Sequence, residues 1–104
     1  MSKTDNIHQI IVLLASALRH KIGAMVGREE LYFKKYMLEF DARLEKAVAI
    51  LNDCNFNKID KEYIKEKVTE KLKRELKERE YIDNRKFDIM DEEIDSLLLS
   101  LGVA

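Results

Sequence analysis

Apolar residues recur at helical spacing in four separate stretches of this chain. Ile7, Ile11, Leu14, Leu18, Ile22 and Met25 share one face and predict a helix over 5–25. Its middle is apolar on nearly every side, because Ile10, Val12, Leu13, Ala15 and Ala17 fill the remaining directions. A helix that is hydrophobic all round is normally buried all round. In so short a chain, that requirement favours a partner subunit.

Gly23-Ala-Met-Val-Gly27 is expected to break this helix, with Glu29 and Glu30 placed for the N-terminal dipole of the next. The register agrees: the first stripe would continue through Arg28 and Tyr32, yet the following stripe begins at Phe33. Phe33, Met37, Phe40, Leu44, Ala47 and Leu51 alternate four and three apart, a heptad seam predicting a second helix over 28–52. Leu31, Leu38, Ala42 and Ala49 trace a smaller apolar line roughly opposite. Two apolar faces imply a central helix, or one shared between subunits.

Asn52 to Asn57 reads as a turn, since short polar side chains bond locally and compete with the helix ladder. Asp60 is then the expected N-cap of a third helix over 60–81, with Ile59 and Ile64 as its hydrophobic staple. Ile64, Val68, Leu72 and Leu76 form a thin stripe amid charge, enough to bury one edge. Asp83-Asn-Arg-Lys86 reads as a break, and Asp91 as the cap of a short last helix over 91–101. Ile94, Leu97, Leu98 and Leu101 make its apolar face, ending at Gly102. That helix is expected to fold back onto the bundle. The alternative is a semi-independent segment, 91–104, that docks in a partner's groove.

Composition narrows the class. The 104 residues are 46% hydrophobic and 38% charged, with no proline and three glycines. Such apolar content is enough for a core and excludes wholesale disorder. The scarcity of turn residues argues against a hairpin-rich sandwich or barrel. One all-α domain over 1–104 is therefore expected, with helices 1 and 2 as an antiparallel hairpin and a dimer completing the bundle.

Charge and candidate chemistry change that picture little. Nineteen basic and twenty acidic residues leave a net charge of −1, with no bulk attraction to nucleic acid or anionic membrane. Lys67, Lys71 and Arg74 are the candidate nucleic-acid contacts, but glutamates interleave with the lysines of that helix and no clean basic stripe emerges. A second basic group, Arg19-His20-Lys21 with Arg28, Lys34 and Lys35, would cluster at the tip of the helix 1–2 hairpin. The single cysteine, Cys54, allows no intrachain disulfide and no cysteine-based metal site, so a reducing cytoplasm is the expected setting. Ile10 to Leu14 followed by Ala15-Ser16-Ala17 imitates a signal peptide, but the apolar run is too short for secretion or for a membrane span.

No catalytic constellation or cofactor site emerges. His8 and His20 point in directions roughly 120° apart on one helix and cannot chelate one ion within a chain; both read as surface residues. Asp91 to Leu98 resembles the Ile-Asp-x-x-Leu-Leu stretch that opens the helical chorismate mutases. That family places essential cationic residues downstream, and here six residues follow Leu98, none of them basic. The resemblance therefore leaves the active site nothing to be built from, and no enzyme is expected.

The sequence thus predicts a non-enzymatic interaction or assembly module, an adaptor or small subunit, with a nucleic-acid-associated accessory protein as the alternative. The predicted oligomer or partner surface is Ile10, Leu13, Leu14, Leu18, Leu31, Phe33, Met37, Leu38, Phe40, Leu44 and Leu51.

Overall fold

The computed structural model describes residues 2–27, 30–80 and 82–103, apart from the side chains of residues 30 and 31. It contains four helices, α1 (Lys3–Val26), α2 (Glu30–Asn52), α3 (Lys58–Glu78) and α4 (Arg85–Ser100), and no strand among the described residues.

α1 starts two residues before the expected Asp5, because the Ser2 hydroxyl accepts the Asp5 N–H at 3.1 Å and caps the helix. It ends where the glycines predict. Gly27 leaves the helix with extended backbone while its N–H still donates to the Gly23 carbonyl at 2.9 Å. A Cβ on Gly27 would lie 2.7 Å from that carbonyl oxygen, so the close approach itself demands glycine. The expected first residues of the second helix, Arg28 and Glu29, lie outside the described residues, as does Tyr81 at the expected end of the third.

α3 corrects one expectation. Its N-cap is Asn57 rather than Asp60. The Asn57 side chain accepts the Asp60 N–H at 2.8 Å, and the Asp60 carboxylate accepts the Asn57 N–H at 3.0 Å. This reciprocal box satisfies two orphan donors where an Asp60 cap would satisfy one. The helix consequently begins two residues early, Ile59 falls inside it at 75% exposure, and no Ile59–Ile64 staple forms. Lys3 reaches Asp60 at 2.6 Å and ties the starts of α1 and α3 together. The Lys3 ammonium, with help from the Asn57 N–H, holds the Asp60 carboxyl below its usual range.

α4 corrects a second. It begins at Arg85, six residues before the expected start, and Asp91 lies in its interior. The Asp83 carboxylate accepts the Arg85 N–H at 2.9 Å, so the turn chemistry sits one step upstream of the supposed cap. Lys86, read as part of a polar break, is instead 2% exposed. Its stem runs along the same face as Met90, Ile94, Leu97 and Leu98, and its ammonium donates to the Arg79 carbonyl at 2.7 Å. That carbonyl belongs to the C-cap of α3, where the helix dipole favours a cation. The far end of α4 follows expectation: Gly102 at φ +74 closes a Schellman turn, with Val103 N–H to Leu98 O at 2.8 Å and Gly102 N–H to Leu99 O at 3.1 Å.

The helices pack around α1. α2 lies on one side of it, α3 and α4 lie on others, and α3 also touches α4. Among the described residues, α2 makes no close helix–helix approach to α3 or α4. One continuous core joins Ile10, Leu14, Leu18 and Ile22 of α1 with Phe40 and Ala47 of α2. It continues through the whole stripe Ile64, Val68, Leu72 and Leu76 of α3 and into Ile94 and Leu98 of α4. Lys21 pairs with Glu93 at 2.8 Å and Lys65 with Asp95 at 3.1 Å, fastening α4 to α1 and α3. The short last helix therefore folds back onto the bundle.

Two substitutions test this account by denaturant unfolding followed through helicity. Leu14→Ala, which empties a fully enclosed site, is expected to lower the unfolding free energy by about 3 kcal/mol. Lys86→Ala is expected to lower it by about 2 kcal/mol, through the lost charge-assisted bond and buried stem. A Lys86→Ala change as mild as that of an exposed lysine such as Lys73 shows that the ammonium does not anchor the α3–α4 junction.

Candidate interaction surface

Val12 and Leu13 mark a side of α1 that the other described helices leave open: Val12 is 39% exposed and Leu13 half-buried, while Ile10, Ile11, Leu14, Ala15, Ala17 and Leu18 around them are enclosed. Beside them runs an open, apolar groove of about 650 Å³ between α1 and α2. His8, Gln9, Val12 and Leu13 form one wall, and Lys46, Ala49 and Ile50 form the other. A cleft of this volume holds apolar side chains, while its imidazole, amide and ammonium set a polar rim.

The groove adjoins the outer face of α2. Leu38 is 71% exposed, and Ala42 and Ala49 are exposed on the same line. This is the second apolar line of the sequence, and it points away from α1 because the heptad seam on the opposite side packs inward. Phe40 and Ala47 of that seam are buried, Met37, Leu44 and Leu51 are half-buried, and Phe33 remains 47% exposed near the start of the helix.

The residues predicted to meet a partner therefore divide into two sets. Ile10, Leu14, Leu18 and Phe40 are enclosed by the chain's own helices, so in this conformation none of them offers a surface to a partner. Leu13, Phe33 and Leu38 are reachable from outside, and the side chain of Leu31 lies outside the described residues. Ile94, Leu97 and Leu98, the possible docking face of the last helix, are buried against the bundle, with Leu101 half-buried. Val12, Ala49 and Ile50 were absent from the predicted surface. The signal for Val12 was the all-round apolar middle of α1, and for Ala49 the second line of α2.

Of the basic candidates, Lys67 and Lys21 are engaged by acidic neighbours. Lys67 is held by Glu70 at 3.2 Å, an ion pair that raises its pKa above that of free lysine. Lys71 is half-buried and Arg74 exposed, and the glutamates of α3 stand among them. In the second basic group, Lys21 is engaged by Glu93, Lys34 and Lys35 are exposed, and Arg28 lies outside the described residues. Cys54 is half-buried, and its sulfur accepts the Asn6 side-chain N–H at 3.2 Å. Among the described residues, no three His, Cys, Asp or Glu side chains gather as an ion-binding group.

His20, expected at the surface, is half-buried. Its Nδ1 lies 2.7 Å from the Ser16 carbonyl, and its ring meets Tyr36 edge-on at 5.8 Å. Tyr32 stacks on Tyr36 at 6.2 Å, and the Glu39–Arg43 ion pair lies nearby on α2. Burial lowers the His20 pKa below that of free imidazole, and the Arg19 and Arg43 charges lower it further. The Ser16 carbonyl and Glu39 oppose that shift. This cluster joins α1 to α2 at the end away from the groove.

α1 is long and apolar enough to cross a bilayer by length and composition, and 56% of its apolar window is buried inside the fold. No protein-family model, curated protein or solved structure matches the chain.

The depressed His20 pKa sets a pH dependence with a definite sign. Below about pH 6.5 the unfolded chain binds a proton that folded His20 resists, so stability rises with pH across that window. The contribution is complete above about pH 6.5 and is lost as pH falls toward the lower folded value. His20→Asn is expected to remove this part of the pH slope, while the carboxylates that titrate lower keep theirs. Equal slopes between pH 5 and 7 in both proteins count against a His20 held neutral by its half-buried setting.

Proposed function

We propose that this chain is a non-enzymatic assembly module, an adaptor or small subunit, that works as a homodimer through apolar helix faces. The observation that carries the reading is the position of α2. It packs on α1 and on no other helix among the described residues, yet it presents Leu38, Ala42 and Ala49 to solvent. Exposed apolar positions beside an open groove, broken on this face by Glu45, are the kind of surface that marks association sites.

An antiparallel α1–α2 hairpin is the unit that presents this face. Two contacts support that direction: Asn6 near the start of α1 meets Cys54 just past the end of α2, while His20 in the last third of α1 meets Tyr36 in the first third of α2. Nothing at the groove asks for chemistry beyond recognition. Its walls are aliphatic, and its rim groups can orient a partner by hydrogen bonds and charge.

Light scattering over a dilution series tests the reading. The expected mass at high concentration is twice the 12.3 kDa of one chain, falling toward one chain on dilution. Leu38→Glu is expected to give the single-chain mass throughout without loss of helicity, because Leu38 takes no part in the core. A single-chain mass for the unaltered protein at every concentration overturns the homodimer.

A further inference from the structure

The outer face of α2 is complementary to itself when the chain direction is reversed. Positions 31, 35, 38, 42, 45 and 49 are four and three apart in alternation, a second heptad seam opposite the one that packs on α1. They read Leu, Lys, Leu, Ala, Glu, Ala. Turned end for end about residue 40, Lys35 falls opposite Glu45 and Leu38 opposite Ala42. Leu31 falls opposite Ala49 by sequence register alone. Each large residue meets a small one and each cation an anion.

Resting on the assembly reading above, we infer that two copies of this chain dimerise by antiparallel packing of α2 on α2, centred near residue 40. The four described groups at the centre are available: Lys35, Leu38, Ala42 and Glu45 are all exposed. Among the described residues, neither Lys35 nor Glu45 has an ion-pair partner within its own chain. In this arrangement Leu38 inserts beside the partner's Ala42, and the small alanines let the helix axes approach to about 8 Å. Lys35 meets the partner's Glu45, and the two-fold axis repeats both contacts.

The charges also fix the direction. Parallel helices in register would set Lys35 against the partner's Lys35 and Glu45 against the partner's Glu45, two repulsive layers in place of two attractive ones. Asp41 sits on the flank beside the axis and faces its own copy, a like-charge contact at the rim that salt screens. The groove is continuous with this seam through Ala49, which lines both.

Charge exchange is the test, read as the dimer dissociation constant by sedimentation or light scattering. Lys35→Glu and Glu45→Lys are each expected to weaken the homodimer roughly tenfold, since each turns two attractive pairs repulsive. The double variant K35E/E45K is expected to recover the original affinity. Mixing the two single variants is expected to give a mixed dimer tighter than either alone, because every pair is then attractive. Helicity and melting temperature of each variant serve as the folding control. Single variants that dimerise like the unaltered chain, or a double variant that fails to recover, overturn the antiparallel α2 pairing while leaving the homodimer standing. An unaltered chain that is monomeric at all concentrations overturns both.

Discussion

A helix with apolar residues on nearly every side has to be enclosed, and the architecture here follows from enclosing α1. Ile10, Leu14, Leu18 and Ile22 are removed from solvent completely, and each of the other three helices lies against this one rod. The thin stripe of α3 packs against α1 and α4, and all four of its residues are enclosed there. α4 wedges against both α1 and α3, so a sixteen-residue helix that would be marginal alone in water gains a stable seat. What remains open is the strip at Val12 and Leu13, which the other described helices leave uncovered.

Charged residues do their work at the joints between helices rather than in a central site. Lys3 with Asp60, Lys21 with Glu93 and Lys65 with Asp95 each join two helices across their polar edges. Such pairs at the polar edges of helices add little to stability. Lys86 is different in kind, because its ammonium is inside and is matched to a helix terminus. A single buried cation on a backbone carbonyl fixes how α4 leaves α3, and Arg85, donating to the Val26 carbonyl at 3.3 Å, fixes how it meets α1.

The four helices and the core stripes were legible in the sequence wherever periodicity governs. The stripe at Ile64, Val68, Leu72 and Leu76, the stop at Gly27 and the closing turn at Gly102 all sit where spacing and turn chemistry put them. Two kinds of signal were missed. Where two capping residues compete, as Asn57 and Asp60 do, the choice rests on a reciprocal hydrogen-bond pair that a single-residue preference does not weigh. Where a lysine lends its methylenes to the core, as Lys86 does, a polar letter conceals an apolar position and shortens the predicted helix. The surface was harder for a different reason. The all-round apolarity of α1 says that it is covered without saying by what, and the division of Leu14 from Leu38 required knowing which sides α2, α3 and α4 occupy.

Among the described residues α2 is held through α1 alone, across the most extensive helix pairing in the fold. Its seat is therefore one seam, in which Phe40 and Ala47 are buried while Met37, Leu44 and Leu51 are half-buried. Phe40 and Ala47 shield one side of an apolar rod. A substitution that loosens this seam bares that rod to whatever it meets, so the α1–α2 pairing guards the whole fold against misassembly.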